Sequence, residues 1–518
     1  MNPRMELTAE LLHITAGGRR IAILNDQTAA TLGVHSSDRI KLLSSNNDAI
    51  AIANIAQNFP KDRIGLYEEI GGILNANEDE KITVQLARIP ESLINVRAKV
   101  RGERLRGQDI ENIVKDVVER HLSEVEIAAF LTALNIYGLS ASESEAMTLA
   151  MVKTGKTLNF GKKIILDKHS IGGIPGDKTS ILVVPIIAAA GFTIPKTSSR
   201  AVTSPAGTAD RMETLCPVNL RINEIEQVVN KTNGCLVWGG SLELAPADDL
   251  FIQVEYPLGI DPLLLPSIMG KKKAIGATHV VIDIPTGSGA KITNMTQAYL
   301  LASDFVDLGK RLGIAIQCAL TFGEQPLGCA VGPALEAREA LATVSGNGPS
   351  DLLDKAASLA GVLFEMVGVA NGREKAEAIL DSGKAELKLR EIIGTQGGNE
   401  NLKPESIPVG DKVVEVKAKV SGKVLFISCE GVAQIAREAG APKEKGAGVV
   451  LKAKLGDSVR VGSVLFEVYA EREGKLSSAL ELAERIQPFV LSRKAEERML
   501  LDQVPAKIDR AEPFTIER

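Results

Sequence analysis

The sequence predicts a multidomain α/β protein. A helical domain faces a mostly parallel α/β domain across a cleft, with an N-terminal small β-barrel-like domain and a C-terminal α+β domain. Three observations carry this. Residues 156–400 alternate short β-branched runs with longer apolar runs, the pattern of a sheet covered by helices on both faces. Residues 105–155 keep a helical period throughout. From residue 405 onward the texture changes to short valine- and glycine-rich strands.

The N-terminal region, residues 1–95, carries a weak internal repeat. Ala22, Leu32, Asp38, Ile40 and Leu42 recur in spirit as Gly65, Leu74, Glu80, Ile82 and Val84. Each half reads strand, short helix, turn, strand, and two such halves suggest a pseudo-symmetric barrel. No catalytic constellation stands out there, so an assembly module is expected. Residues 90–100 read as a linker. In the helical domain, residues 96–160, Ile110, Ile113, Val114 and Val117 share a helical face, as do Ile127, Phe130, Leu131 and Leu134. Ser123 with Glu126, and Ser140 with Glu143, have the spacing of capping boxes. Residues 250–277 are again helical and are expected to rejoin this bundle.

Within the α/β domain, residues 161–400, the clearest strands are 163–166, 235–238, 279–284 and 314–319. The C-terminal domain, residues 405–518, shows strands at 413–420, 423–428, 448–453 and 464–469 and a helix from Leu476. Its texture is that of biotinyl and lipoyl carriers. The segment Glu415-Val416-Lys417-Ala418-Lys419 lacks the methionines that flank a modified lysine, so a structural cap is expected instead.

Composition narrows the function. The 518 residues suffice for three or four domains. A net charge of −5 disfavours a nucleic-acid footprint, and 3 % aromatic residues disfavour stacked base platforms. The five cysteines show no metal-ligand spacing, which fits a reduced cytosol and no structural metal. The N-terminus lacks a signal-peptide core, and apolar runs break well short of a membrane span. A cytoplasmic protein without membrane or nucleic-acid partners is expected.

Residues 162–213 organise the chain. An apolar run, residues 164–166, reads as a buried strand, followed by Asp167-Lys168-His169-Ser170 and a glycine turn at Gly172, Gly173 and Gly176. Residues 181–190 read as a helix, and residues 196–208 as a polar loop with Thr197, Ser198, Ser199, Arg200, Thr203, Ser204 and Thr208. Strand, glycine turn, helix and hydroxyl-rich loop together build an anion pocket. A nucleotide P-loop is disfavoured, because Asp177 stands between Gly176 and Lys178 where the P-loop needs glycine directly before Lys-Thr.

Lys168-His169-Ser170-x-Gly-Gly, followed by Ser-x-Arg-Ala-x-Thr-x-x-x-Gly-Thr-x-Asp-x-x-Glu from Ser198 to Glu213, resembles the signature of the thymidine/pyrimidine-nucleoside phosphorylase family. The resemblance spans residues 100–500. The extra N-terminal domain and the loop 199–204 are similar to the type 2 branch, which includes archaeal AMP phosphorylases and bacterial relatives labelled thymidine phosphorylase. The resemblance implies a pentosyltransferase in which inorganic phosphate, as co-substrate, attacks the anomeric carbon of a nucleoside 5′-monophosphate. Free base and ribose 1,5-bisphosphate are the products, and no cofactor or metal is implied. A homo-oligomer, dimer or larger, is expected.

Residue by residue, the resemblance places phosphate at Lys168, Ser170, Ser180, Ser198 and Thr208. Any one of these hydroxyls alone reads as a turn or cap residue. A lysine with hydroxyls suits a dianion that must stay nucleophilic, where a bidentate arginine would hold it more tightly. His169 falls against the base carbonyl, as a catalytic donor or as a structural histidine. Ser267 and Lys271 match the Ser-Ile-x-x-Lys-Lys helix that contacts the base. The position at which thymidine enzymes carry an arginine for the base falls near Ile252 here, so a pyrimidine oxygen would lose a charged donor. Asp261 resembles an aspartate that protonates the leaving base, with a helix cap before Pro262 as the other reading. Gly173, Ser199, Arg200, Ala201, Val202, Thr203, Ser204 and Lys291 complete the substrate set, with Arg200 as charged donor to a 5′-phosphate. A thymidine phosphorylase is the alternative within the class. A phosphoribosyltransferase of similar architecture would need metal ligands beside the glycine loop, where Asp177 and Asp210 stand. An inactive scaffold is the remaining reading, against which Lys168, His169 and Ser198 speak.

Overall fold

The structure, a computed structural model, describes residues 3–45, 47–201 and 204–492, and its chain divides into two compact units. The first comprises the chain up to Lys163, Gly239–Val280 and Ser303–Ile316. The second comprises Ile164–Trp238, Val281–Ala302 and the chain from Gln317 onward. Among the described residues no helix is long and apolar enough to cross a membrane.

The first unit opens with a closed barrel. Its strands are β1 (Arg4–Leu11), β2 (Ile21–Asn25), β3 (Arg39–Leu43), β4 (Asp48–Ala56), β5 (Arg63–Leu66) and β6 (Lys81–Leu86), in the order β1-β5-β2-β4-β3-β6. Strands β1 and β6 pair antiparallel, Met5 opposite Val84, and close the ring. Strand alternation turns Leu7, Ala9, Ala22, Leu24, Ile40, Leu42, Ala51 and Ala53 inward, and the small alanines suit the narrow interior of a six-stranded ring. Helix α1 (Asp26–Leu32) lies between β2 and β3, and α2 (Glu68–Leu74) between β5 and β6, which is the repeat legible in the sequence. Both helices end on a left-handed residue, Gly33 and Asn75.

The segment expected to be a linker is instead a helix, α3 (Ser92–Val100). Its Leu93 and Val96, three residues apart, enter the core of the bundle. The bundle continues with α4 (Gly107–Val118), α5 (Glu124–Tyr137) and α6 (Ala141–Lys153). Both expected capping boxes form, at Ser123 with Glu126 and Ser140 with Glu143. Glu143 also accepts from the buried Lys99 ammonium at 2.9 Å and from the Leu105 amide, so the buried carboxylate is saturated.

In the second unit, β7 (Leu166–Ser170) leads through the glycine turn to α7 (Thr179–Ala189), whose apolar residues from Ile181 to Ala188 lie in the core. Next come β8 (Ile194–Ser198), α8 (Thr208–Met212), α9 (Ile222–Thr232) and β9 (Gly234–Trp238), with β8 and β9 parallel. Two expectations are corrected here. The strand begins at Leu166 rather than residue 164 and itself carries Lys168, His169 and Ser170, and Ile164 is exposed. Lys196, Thr197 and Ser198 lie on β8, so the loop starts at Ser199. Parallel pairing with β9 extends the strand through these polar residues, which periodicity alone cannot see.

The chain re-enters the first unit as α10 (Pro246–Leu258) and α11 (Leu264–Ala274). The helical segment expected at 250–277 is therefore two helices. Gly259 terminates the first in the left-handed conformation, and Pro262 lies in the turn before the second. Phe251 and Leu263 join the core of the bundle, as expected of a returning segment. Strand β10 (His279–Thr286), α12 (Met295–Leu312) and β11 (Ala315–Phe322) follow, and β10 sits between β11 and β7 in a three-stranded sheet. Helices α13 (Pro333–Val344) and α14 (Ser350–Met366) complete the elements that touch the site.

The C-terminal part packs two sheets around its own core. One of them borrows a strand: Ala330–Val331 pairs antiparallel with Gly448–Leu451. The helix Cys429–Glu438 was not anticipated from the sequence, because its Cys429-Glu-Gly start hid an amphipathic face bearing Val432, Ile435 and Ala436.

Candidate active site

Successive side chains leave a strand on opposite faces, so on β7 Lys168 and Ser170 share one face and His169 takes the other. The turn that follows is left-handed at Gly172, Gly173 and Gly176. A Cβ on Gly173 would stand 2.4 Å from the Lys291 backbone nitrogen, so glycine alone permits this approach. The structure thus brings Gly173 and Lys291 together. Asp177 closes the turn onto the start of α7. Its Oδ1 accepts from the Thr179 amide (3.2 Å) and hydroxyl (2.5 Å), and that hydroxyl accepts from Lys168 Nζ at 2.6 Å. Ser180 is buried in the first helical turn, beside the Thr179 amide that Asp177 caps. Lys178 pins the turn from the other side: its ammonium donates to Leu327 O (3.0 Å) and Ala330 O (3.1 Å) and pairs with Glu339 at 2.6 Å.

Lys168 is buried, 3.8 Å from Asp177 Oδ2 and 4.0 Å from Asp283 Oδ2. Lys355, on α14, lies 2.8 Å from Asp283 Oδ2 and 3.8 Å from Asp177 Oδ2. Two ammonium groups and two carboxylates make a neutral buried quartet. Burial pushes the Lys168 pKa below the ordinary lysine value, against the pull of Asp177 and Asp283. Burial also pushes Asp177 upward, yet Lys168, Lys355 and the Thr179 hydroxyl together hold it well below the usual carboxylate range. For Lys355, burial is outweighed by Asp177 and Asp283, and its pKa rises.

The second loop is built around two carboxylates. Asp210 Oδ2 accepts from the amides of Ala201 (2.7 Å) and Gly207 (3.0 Å). A Cβ on Gly207 would meet Ser199 O at 2.5 Å. Arg200, expected as the charged donor to a 5′-phosphate, has both terminal nitrogens on Glu213 (2.7 and 2.5 Å), and its guanidinium lies 4.9 Å from the Trp238 ring centroid. Lys445 reaches both Asp210 and Glu213 at 3.0 Å. The Arg200 and Lys445 contacts bring the Glu213 pKa down to about 2. Ser198 donates to Val237 O at 3.1 Å and Ser204 to Ala206 O at 3.2 Å. Val202 and Thr203 lie outside the described residues.

Arg211 joins the two loops. Its guanidinium donates to Asp177 O (2.7 Å), Ala206 O (2.8 Å) and Thr208 Oγ1 (3.3 Å) and pairs with the buried Glu336 at 2.6 Å. Thr208 is thereby tied to the glycine turn. The sequence reading missed Arg211, Asp283, Lys355 and Thr179. Two of them left a signal: an aspartate inside the otherwise apolar run Val280-Val281-Ile282-Asp283-Ile284, and a lysine on the same helical face as Leu352, Ala356 and Leu359. The two carboxylates weighed as metal ligands are both engaged by cations, Asp177 by two lysines and Asp210 by Lys445.

The base-side residues expected from the sequence belong to the first unit and form a set of their own. Ser267 Oγ donates to Asp248 Oδ2 at 2.9 Å and Lys271 Nζ pairs with the same oxygen at 2.6 Å. Asp248 is fully buried on α10 and was not foreseen. Burial opposes the Lys271 charge, but Asp248 outweighs it and raises the pKa. Asp261 is exposed and lies two residues before Leu263, the N-cap of α11.

Comparison with known proteins gives the class first. Residues 162–386 match the glycosyl transferase family α/β domain, and residues 96–155 match the helical bundle domain of that family. Residues 423–488 match the pyrimidine nucleoside phosphorylase C-terminal domain. The chain is similar in fold to anthranilate phosphoribosyltransferase from Thermus thermophilus, with a TM-score of 0.50 and 21 % identity over 58 % of this chain and 98 % of that one. It is 50 % identical over 482 residues to AMP phosphorylase from Thermofilum pendens, covering 93 % of this chain and 94 % of the relative. To AMP phosphorylase from Thermococcus kodakarensis it is 48 % identical over 478 residues, covering 91 % and 95 %. These likenesses define a glycosyltransferase of the nucleoside phosphorylase kind. The chain belongs to the pyrimidine nucleoside phosphorylase family, in its AMP phosphorylase branch.

Proposed function

We propose that this enzyme catalyses phosphorolysis of the N-glycosidic bond of AMP and related nucleoside 5′-monophosphates. Inorganic phosphate attacks the anomeric carbon, the bond to the base breaks, and free base and ribose 1,5-bisphosphate leave. The observation that carries the reading is the full-length similarity to AMP phosphorylases. The arrangement of Lys168 and the hydroxyls around the glycine turn supports it. One ammonium and several hydroxyls orient a dianion without quenching its nucleophilicity. The thymidine alternative is not favoured, since the full-length relatives are AMP phosphorylases.

In this reading Lys168, Ser170, Ser180, Ser198 and Thr208 hold the attacking phosphate, which also faces the positive charge that develops on the sugar. The loop 199–204 receives the 5′-phosphate, and Arg200 orders that loop through Glu213 and Trp238. Gly173 and Lys291 add substrate contacts. Ser267 and Lys271 serve the base, His169 donates to it, and Asp261 delivers the proton it needs on leaving. The enzyme needs no cofactor or metal beyond phosphate, works in the cytoplasm, and assembles through its barrel as a homo-oligomer.

Base release from AMP, CMP, UMP, adenosine, uridine and thymidine, each with and without phosphate, tests the function. Phosphate-dependent turnover confined to monophosphates is expected, and turnover of thymidine instead would overturn the substrate assignment. For assembly, a chain cut before Ser92 keeps α3 in the bundle. It should elute as a smaller species on sizing columns, and an unchanged size would release the barrel from that role.

A further inference from the structure

We propose that Lys355 is a positioning residue for the phosphate lysine: by pairing with the Asp283 carboxylate and sharing Asp177 it leaves the Lys168 charge free for the attacking phosphate. The inference rests on the phosphorolysis reading, in which Lys168 meets phosphate. The geometry that carries it is an asymmetry. At Asp283 Oδ2, Lys355 Nζ sits at 2.8 Å, in direct ion-pair contact, whereas Lys168 Nζ stays at 4.0 Å; at Asp177 Oδ2 both ammonium groups stand at 3.8 Å. Lys168 Nζ donates instead to a neutral hydroxyl, Thr179 Oγ1, at 2.6 Å. Thr321 Oγ1 donates to the other oxygen of Asp283 at 2.6 Å, so that carboxylate is held on both oxygens without Lys168.

Removing Lys355 changes the sum. Two buried carboxylates then face a single ammonium, which they draw off the hydroxyl, and the pocket carries a net negative charge toward an incoming dianion. Lys355 does this from behind. It is buried on the core face of α14, among Leu352, Ala356 and Leu359, and so acts on phosphate only through the carboxylates.

The test uses the full-length enzyme with Lys355→Met, Lys355→Arg and the charge-balanced pair Lys355→Met with Asp283→Asn. Phosphate affinity is read directly by calorimetry with inorganic phosphate, KM for phosphate and for AMP are read separately, and thermal melting checks folding. Lys355→Met should weaken phosphate binding about tenfold or more while the KM for AMP moves less than about twofold, because a lost buried counter-charge acts on its neighbours first. Lys355→Arg should retain most of the affinity, and the double variant should recover it. Unchanged phosphate affinity in Lys355→Met would overturn the proposal. So would a folded double variant as weak as the single one, since a merely structural lysine gives no such rescue. If Lys355→Met does not fold, the neutral double variant decides on the same terms. If the wild-type enzyme binds phosphate but releases no base from AMP, the functional reading fails instead, and the calorimetric comparison still decides the role of Lys355.

Discussion

Two lysines, one in each unit, are held in opposite ways: Lys168 is buried, whereas the Lys271 side chain is 32 % exposed. Lys271 pairs with Asp248 at 2.6 Å, and that contact, with Asp249 and Glu255 nearby, outweighs desolvation and raises its pKa. Lys168 has two carboxylates nearby, but neither closer than 3.8 Å, and there burial prevails and lowers its pKa. Coulomb attraction falls with distance and the desolvation penalty grows with burial. The close contact and partial exposure of Lys271 therefore tip the balance one way, and the longer contacts and full burial of Lys168 tip it the other. A lysine in direct ion-pair contact is spent on its partner. A lysine held a little off its counter-charges, and resting on a hydroxyl, keeps its charge to give to a ligand. In the proposed reaction the contrast suits Lys271 as a base-side residue that orders a helix pair and Lys168 as the residue that meets the nucleophile.

The largest expected effect breaks the phosphate side. Lys168→Met should lower kcat/KM for phosphate by about 10²-fold or more, the scale for losing a preorganised charged donor. The sign of its pH dependence follows from the lowered pKa. The charge that phosphate needs is present at low pH and lost as pH rises through a value below the ordinary lysine range of about 10.4. Phosphate affinity should therefore fall on an alkaline limb that begins below that range. A flat profile would mean another group holds the anion.

A smaller effect is expected on the other side. Asp248→Asn releases Lys271 and Ser267 together and should reduce kcat/KM for AMP about tenfold with phosphate KM unmoved, in line with the cost of breaking one charged contact. If phosphate KM moves equally, the two clusters do not act independently. Gly173→Ala sharpens the comparison by backbone alone. At φ +99 with Lys291 N at 2.4 Å, it should cost about 1–2 kcal/mol of stability by thermal melting, with reduced turnover. An unchanged melt would show that the turn can relax.

The smallest effect concerns acid. The Glu213 pKa, brought to about 2 by Arg200 and then Lys445, lies below its unfolded value. Its ion pairs therefore stabilise the loop fully above the ordinary glutamate range, near 4.3, and are lost as pH falls toward about 2. Glu213→Gln should flatten the stability of the enzyme across that window, read as the midpoint of acid unfolding, and an unchanged acid midpoint would show that the pairs carry no net stability.

Local chemistry made much of this protein legible from the residues alone. The paired halves of the barrel, the capping boxes at Ser123 and Ser140, the glycine turn and the ordered Ser198 to Glu213 motif each depend on neighbours within a few positions, and each appears in the fold as a strand alternation, a helix start or a left-handed turn. What lay beyond that range was decided by the tertiary structure. The sequence marks Lys168 but not that Asp283 of β10 and Lys355 of α14 balance it. It marks Arg200 but not that Glu213 and Trp238 occupy it, and Ser267 with Lys271 but not the Asp248 that binds both. Charge balance in a buried pocket is a sum over groups far apart in the chain, and only folding brings the terms of that sum within a few ångströms of one another.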